Sequence, residues 1–171
     1  EPRKNLIRLM EAFARIYDSK TQLVLVGGKG WLYDELFARV QDLGLREAVI
    51  FPGYVTNDDL LLWYNAATIV AYPSVYEGFG LPAAEAMACG LPVVATSGGA
   101  LPEVVEDDVT GILVPPADSR ALAEAMDNLM RDAQLRRRMG HAGRQRILER
   151  FSWRKAALQT EAVYQELCQP N

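Results

Sequence analysis

The chain has 171 residues, with 18 Lys and Arg against 22 Asp and Glu; half of its residues are hydrophobic and 23% are charged. That length suits one domain with an ordinary core, and the apolar fraction is too high for disorder. The formal net charge of -4 argues against a nucleic-acid surface, and no apolar run approaches the ~20 residues that a membrane-spanning helix needs.

Leu6, Met10, Phe13 and Tyr17 recur at helical spacing and predict an amphipathic helix at the start. Leu23–Val26 is a continuous apolar run closed by Gly27-Gly28, the pattern of a buried parallel strand. Leu32, Leu36, Phe37 and Val40 predict a second helix that stops at Gly44. Val49-Ile50-Phe51 is strand-like and ends at Pro52-Gly53, and Thr56 with Asp59 forms a capping box ahead of a helix from Leu60 to Ala67. Further strands are predicted at Ile69–Tyr72, Pro92–Ala95 and Gly111–Val114, with helices near Pro82–Cys89 and Leu101–Glu106 between them. Beyond Pro115-Pro116 only helices follow: Ser119–Arg131 capped by Asp118, Gln134–Glu149, and a closing helix from Ser152. The last is expected to bury Trp153, Ala157, Thr160, Tyr164 and Leu167 on one face.

Residues 1–171 therefore read as one α/β domain: a Rossmann-like, doubly wound parallel sheet with helices on both faces, ending in an all-helical segment. The start departs from that pattern, because such a sheet begins with a strand at its centre and this chain begins with a helix. The expectation is a first strand upstream, or a gap that something else fills. Glu1 in place of Met, with no secretory leader, agrees with a fragment of something longer. Cys89 and Cys168 match no metal spacing and are expected as buried free thiols, and the lone His141 is expected at the surface.

The segment from Pro73 to Gly90 lies between a predicted strand and a predicted helix, where ligands sit at the carboxyl edge of a parallel sheet. Gly78 and Gly80 remove two Cβ atoms, Pro82 suits the first helical position, and the free amides of a first turn favour an anion such as phosphate. Glu77 and Glu85 bracket the glycines with seven residues between them. A carboxylate repels phosphate but accepts strong hydrogen bonds from sugar hydroxyls. Phosphate on amides and hydroxyls on glutamates together describe a nucleotide sugar; a solvated Glu77 and a helix-favouring Glu85 are the plainer alternative.

The stretch Glu77-Gly78-Phe79-Gly80-Leu81-Pro82-Ala83-Ala84-Glu85-Ala86-Met87-Ala88-Cys89-Gly90-Leu91-Pro92 resembles the donor-site signature of glycosyltransferase family 4, retaining enzymes of the GT-B fold. Glu1–Leu6, Leu25–Gly27, Val49–Val55, Gly98–Glu103, Gly111–Val114 and Phe151-Ser152-Trp153 agree in order and spacing. The resemblance covers only the C-terminal, donor-binding domain of such an enzyme. It implies that Lys4 pairs with the donor diphosphate and that Glu77 contacts the sugar near its reacting face, which makes these two the candidate catalytic residues. It further implies that Gly78 and the amides of Phe79, Gly80 and Leu81 hold sugar and diphosphate, that Glu85 binds the ribose hydroxyls, and that the backbone at Val55 reads the base. Gly27 and Gly28 are candidates for the same rim. The family's arginine beside the diphosphate would precede residue 1, and Arg3 is not promoted in its place, because neighbours on a helix point in different directions.

On this reading the intact enzyme transfers a hexose, mannose favoured, to an acceptor hydroxyl with retention, and its acceptor site lies on an N-terminal domain outside this chain. The donor is GDP-mannose or a UDP- or ADP-hexose, no metal or cofactor is required, and the location is cytoplasmic, peripheral to the inner membrane face. A glycoside hydrolase would not need Lys4, and Gly27-Gly28-Lys29-Gly30 lacks the spacing of a dinucleotide-binding dehydrogenase. The rival of another class is a nucleotide-binding module without turnover. If the closing helix belongs against the N-terminal domain, Trp153, Tyr164 or Leu167 is left partly uncovered, favouring self-association.

Overall fold

The computed structural model describes residues 1–28 and 33–168; Leu32 and the Lys29-Gly30 pair lie outside them. A 3-10 turn at Pro2–Lys4 precedes α1 (Leu6–Ile16), β1 (Leu23–Val26), α2 (Tyr33–Asp42), β2 (Val49–Gly53), α3 (Asn57–Ala66), β3 (Val70–Tyr72) and α4 (Leu81–Ala88). Then follow β4 (Val93–Thr96), α5 (Leu101–Val104), β5 (Gly111–Val114), α6 (Ser119–Arg131), α7 (Ala133–Arg150) and α8 (Trp153–Leu167). Helix starts lie where polar side chains can take the free amides of a first turn. Thr56 accepts from the Asp59 amide and donates back to its carboxylate, Asp118 accepts from Arg120 and Ala121, and Ser152 accepts from Lys155.

All strand pairs are parallel, but the expected single sheet is divided: β1 pairs with β2, and β3, β4 and β5 form a second sheet in that order. β1 and β3 each use one ladder edge only, and no described strand lies between them. Residue alternation along β4 separates two cores. Val94 faces α1 and α6, whereas Val93 and Ala95 face α4, α5 and α7, so helices cover both faces. α1 packs on α6, and its Leu9, Met10, Ala12 and Phe13 join a core shared with Val40 of α2, Val49 of β2 and Leu23 and Leu25 of β1. This core ties the two sheets together.

Three expectations are corrected. β1 is half-buried rather than buried, with Val26 exposed, because one of its edges has no neighbour. The face of α8 expected to be buried is uncovered: Trp153 is 90% exposed and no residue of α8 is buried. Cys168, at the end of that helix, is an exposed free thiol, whereas Cys89 is half-buried. His141 is exposed, as expected. Among the described residues no helix is long and apolar enough to cross a membrane.

Candidate functional site

The loop from Pro73 to Gly80 leaves the carboxyl end of β3 and enters α4, and two other segments clamp it. From the 3-10 turn, the Arg3 carbonyl accepts from the Val75 amide at 2.9 Å, and the Arg3 guanidinium donates to the Tyr76 carbonyl at 3.0 Å. Asn5, which ends that turn in the left-handed region at φ 55°, donates its side-chain amide to the Pro73 carbonyl at 3.1 Å. From the carboxyl end of β4, the Thr96 hydroxyl donates to the Ser74 carbonyl and the Ala100 amide to the Glu77 carbonyl. A Cβ at Gly98 would lie 2.0 Å from the Val75 carbonyl oxygen, and one at Gly99, whose φ is +64°, 2.2 Å from that of Glu77. Only glycine lets the β4 turn approach the loop this closely.

The clamp delivers Glu77 into a buried cluster, with its side chain 8% exposed. Lys4 Nζ donates to Glu77 Oε1 at 2.8 Å and to Tyr72 Oη at 2.8 Å, and Tyr72 donates to the same oxygen at 2.7 Å. Arg3 pairs with the other oxygen, Oε2. Burial pushes the Glu77 carboxyl up, but the bonds from Lys4, Tyr72 and Arg3 outweigh it and hold the group down at about 2. Lys4 is partly desolvated, yet its bonds to Glu77 and Tyr72 raise it above its ordinary value. Arg3 also pairs with the exposed Glu1 carboxylate at 3.2 Å, so the two cations of the cluster face two carboxylates.

Past Glu77, the amides of Gly78, Phe79, Gly80 and Leu81 donate to nothing among the described residues. Gly80 caps α4 in the left-handed region at φ 93°, and Pro82 falls at the second helical position, one later than expected. The two glycines differ. A Cβ at Gly78 would meet nothing within 4 Å, so that side of the turn is open, whereas a Cβ at Gly80 would strike the Leu101 side chain at 2.6 Å. Gly80 is thus required by its cap geometry and by packing. The Phe79 ring stands edge-on to Phe151, with centroids 5.5 Å apart.

Glu85, one turn further along α4, is exposed, and Tyr64 Oη donates to its Oε2 at 3.1 Å. Val55 is half-buried at the carboxyl end of β2, just past Gly53, whose carbonyl accepts from the Gly27 amide. No hydrogen bond or ion pair joins this second rim to the Glu77 cluster among the described residues. Sequence reasoning excluded Arg3, but residues 2–4 form a 3-10 turn rather than part of α1, and two adjacent long side chains there reach opposite oxygens of one carboxylate. It also passed over Tyr72, Tyr64 and Asn5. Pro2 ahead of a helix, and Asn5 where the chain turns left-handed, were the available signals. Among the described residues no cluster of His, Cys, Asp and Glu could hold a metal ion.

A parallel α/β fold with a free-amide turn and a cation-bound carboxylate at one strand end agrees with the arrangement that the resemblance implied, and comparison with known proteins places the chain with the C-terminal part of GT-B glycosyltransferases. The family described as Glycosyl transferases group 1 matches residues 1–146, and the chain belongs to it. It is 39% identical over 173 residues to the O-antigen chain mannosyltransferase B of Escherichia coli, covering 98% of this chain and 44% of that protein. It superposes with TM-score 0.82 and 32% identity on the C-terminal domain of a glycosyl transferase group 1 family protein from Francisella tularensis, covering 90% of this chain and 82% of that one. Anabaena HepE, solved in complex with UDP-glucose, matches with TM-score 0.89 and 29% identity over 97% of this chain and 46% of its own. The chain spans between 40% and 44% of the length of the first curated relatives it matches.

Proposed function

We propose that this chain is the donor-binding domain of a retaining hexosyltransferase that takes a nucleoside diphosphate sugar and passes the hexose to an acceptor hydroxyl. The observation that carries the reading is the pairing of four unbonded amides, Gly78 to Leu81, with the Lys4 and Arg3 cations held on Glu77 beside them. Amides at a helix start and a nearby cation suit a diphosphate leaving group. Lys4 swings from Glu77 to the diphosphate and Arg3 keeps the carboxylate paired, so that Glu77 orients the sugar and supports positive charge at the anomeric carbon. The amides of Phe79, Gly80 and Leu81 hold sugar and diphosphate, Glu85 binds the ribose hydroxyls, and the backbone at Val55 reads the base. GDP-mannose is the favoured donor, supported by the likeness to a mannosyltransferase; the UDP-glucose bound by HepE makes a UDP-hexose the next choice. No metal is assigned a role.

The acceptor site and the strand between β1 and β3 belong, on this reading, to parts of the protein outside these residues, on the cytoplasmic side of the membrane. The uncovered face of α8, with Trp153, Ala157, Thr160, Tyr164 and Cys168, faces the acceptor domain. Without that domain it favours self-association of the chain, which a strict monomer at high concentration in sedimentation would overturn. By itself the chain binds nucleotide without turnover; sustained sugar transfer to any of a panel of acceptors would refute this.

Titration calorimetry with GDP, UDP and ADP tests the donor reading. One nucleotide should bind, and Glu85→Ala should weaken it by ~1–3 kcal/mol, the cost of leaving hydroxyl donors without their acceptor. A folded chain that binds none of the three would overturn the assignment.

A further inference from the structure

Tyr64 lies in the last turn of α3, and its half-buried ring packs against the core of α4, β3 and β4. Its hydroxyl reaches two groups one helical turn apart on α4, the Glu85 carboxylate at 3.1 Å and the Pro82 carbonyl at 3.3 Å. One proton serves one acceptor at a time, and the ionised carboxylate is the stronger. Glu85 Oε2 is therefore engaged, while Oε1 has no partner among the described residues. Glu85 is exposed and makes no ion pair, so this bond is its sole restraint beyond the helix itself. Burial first, and the charge on Glu85 second, push the Tyr64 phenol well above its ordinary value, so it remains a donor throughout the physiological range.

We propose that Tyr64 is a positioning residue for nucleotide recognition: by holding Glu85 Oε2 it aims Oε1 outward as a fixed acceptor for the vicinal hydroxyls of the ribose. This rests on the reading of Glu85 as the ribose contact and adds the device that orients it. A free glutamate on a helix surface samples several rotamers, and ordering it on binding opposes affinity. Tyr64 makes that ordering part of the fold. Tyrosine at this position looks from sequence like an ordinary core aromatic, since only its terminal oxygen takes part.

The test is Tyr64→Phe in this chain, titrated with GDP, UDP and ADP and with their 2′,3′-dideoxy forms. The ring stays, so packing and melting temperature should be nearly unchanged, while ribonucleotide affinity falls about five- to tenfold, within the range for the net contribution of one ordinary hydrogen bond. Affinity for the dideoxy form should not move, so the ribose preference shrinks. In an Glu85→Ala background, Tyr64→Phe should have no further effect. Equal weakening of both nucleotide forms would reduce Tyr64 to a structural residue, and an unchanged preference would leave it no role; either overturns the proposal. Glu85→Ala alone separates the two layers. If it abolishes the ribose preference and Tyr64→Phe does not, only the positioning role fails; if it leaves the preference intact, the ribose reading of Glu85 fails with it.

Discussion

The two sheets differ in how completely they are finished. In the three-stranded sheet β4 is buried along its whole length, helices cover both faces, and the turn after it is locked against the Glu77 loop by two glycines that admit no side chain. In the two-stranded sheet β1 is only half-buried and ends in Gly27 and Gly28, where a Cβ would meet nothing within 4 Å. The charged cluster joins Tyr72 and Glu77 of the three-stranded side to Arg3 and Lys4 of the 3-10 turn. A carboxylate held at about 2 needs fixed donors in a desolvated setting, and only a segment packed from both flanks supplies them. The open rim offers backbone and an exposed Tyr54, a surface suited to contacts that tolerate adjustment.

The largest expected effect comes from the glycine clamp. Gly99→Ala places a Cβ on the Glu77 carbonyl at a left-handed φ and should cost more than ~4 kcal/mol in urea unfolding, whereas Gly28→Ala should stay within about 0.5 kcal/mol. Similar values at the two positions would break the comparison. Next, Leu101→Ala removes a fully buried side chain and should cost ~3–4 kcal/mol, and Leu25→Ala on half-buried β1 about half of that. Hydrogen exchange sharpens the same contrast: amides of β4 should exchange only on global unfolding and those of β1 earlier.

Acid unfolding probes the cluster itself. The folded carboxyl of Glu77 lies below its unfolded value, so its stabilisation is complete above about pH 4.5 and is lost as pH falls toward 2, on the order of 3 kcal/mol in all. Glu77→Gln should be less stable at neutral pH and should lose that part of the acid slope. A slope in Glu77→Gln as steep as in the parent chain would mean that other carboxylates govern acid unfolding.

Most elements were legible because their signals are local. The run Leu23–Val26, the capping box at Thr56, Asp118 ahead of α6 and Ser152 ahead of α8 each declare an element within a few residues. Glu77 and Glu85 stood out through spacing and Lys4 through the family resemblance, and the structure brings Lys4 and Glu77 within 2.8 Å of each other while leaving Glu85 a turn further along α4. What stayed hidden depends on partners far apart in the chain. Tyr72 and Tyr64 act through one oxygen each, which hydrophobic pattern cannot register, and the reach of Arg3 to Glu77 was missed because a 3-10 turn was read as α-helix. The uncovered face of α8 carries an ordinary amphipathic pattern; the pattern says that a face is apolar, not which surface covers it.

The packing of α1 on α6 has a consequence for synthesis. α1 is translated about a hundred residues before α6, which at roughly 5–20 residues per second leaves its apolar stripe, with Met10 and Phe13, without its main partner for several seconds or more. During that interval β1, β2 and the whole Glu77 loop are already outside the ribosome. The nascent chain therefore holds a growing set of parallel strands while the core around α1 stays open until α6 arrives, which makes this stretch one where a holding chaperone has much to shield.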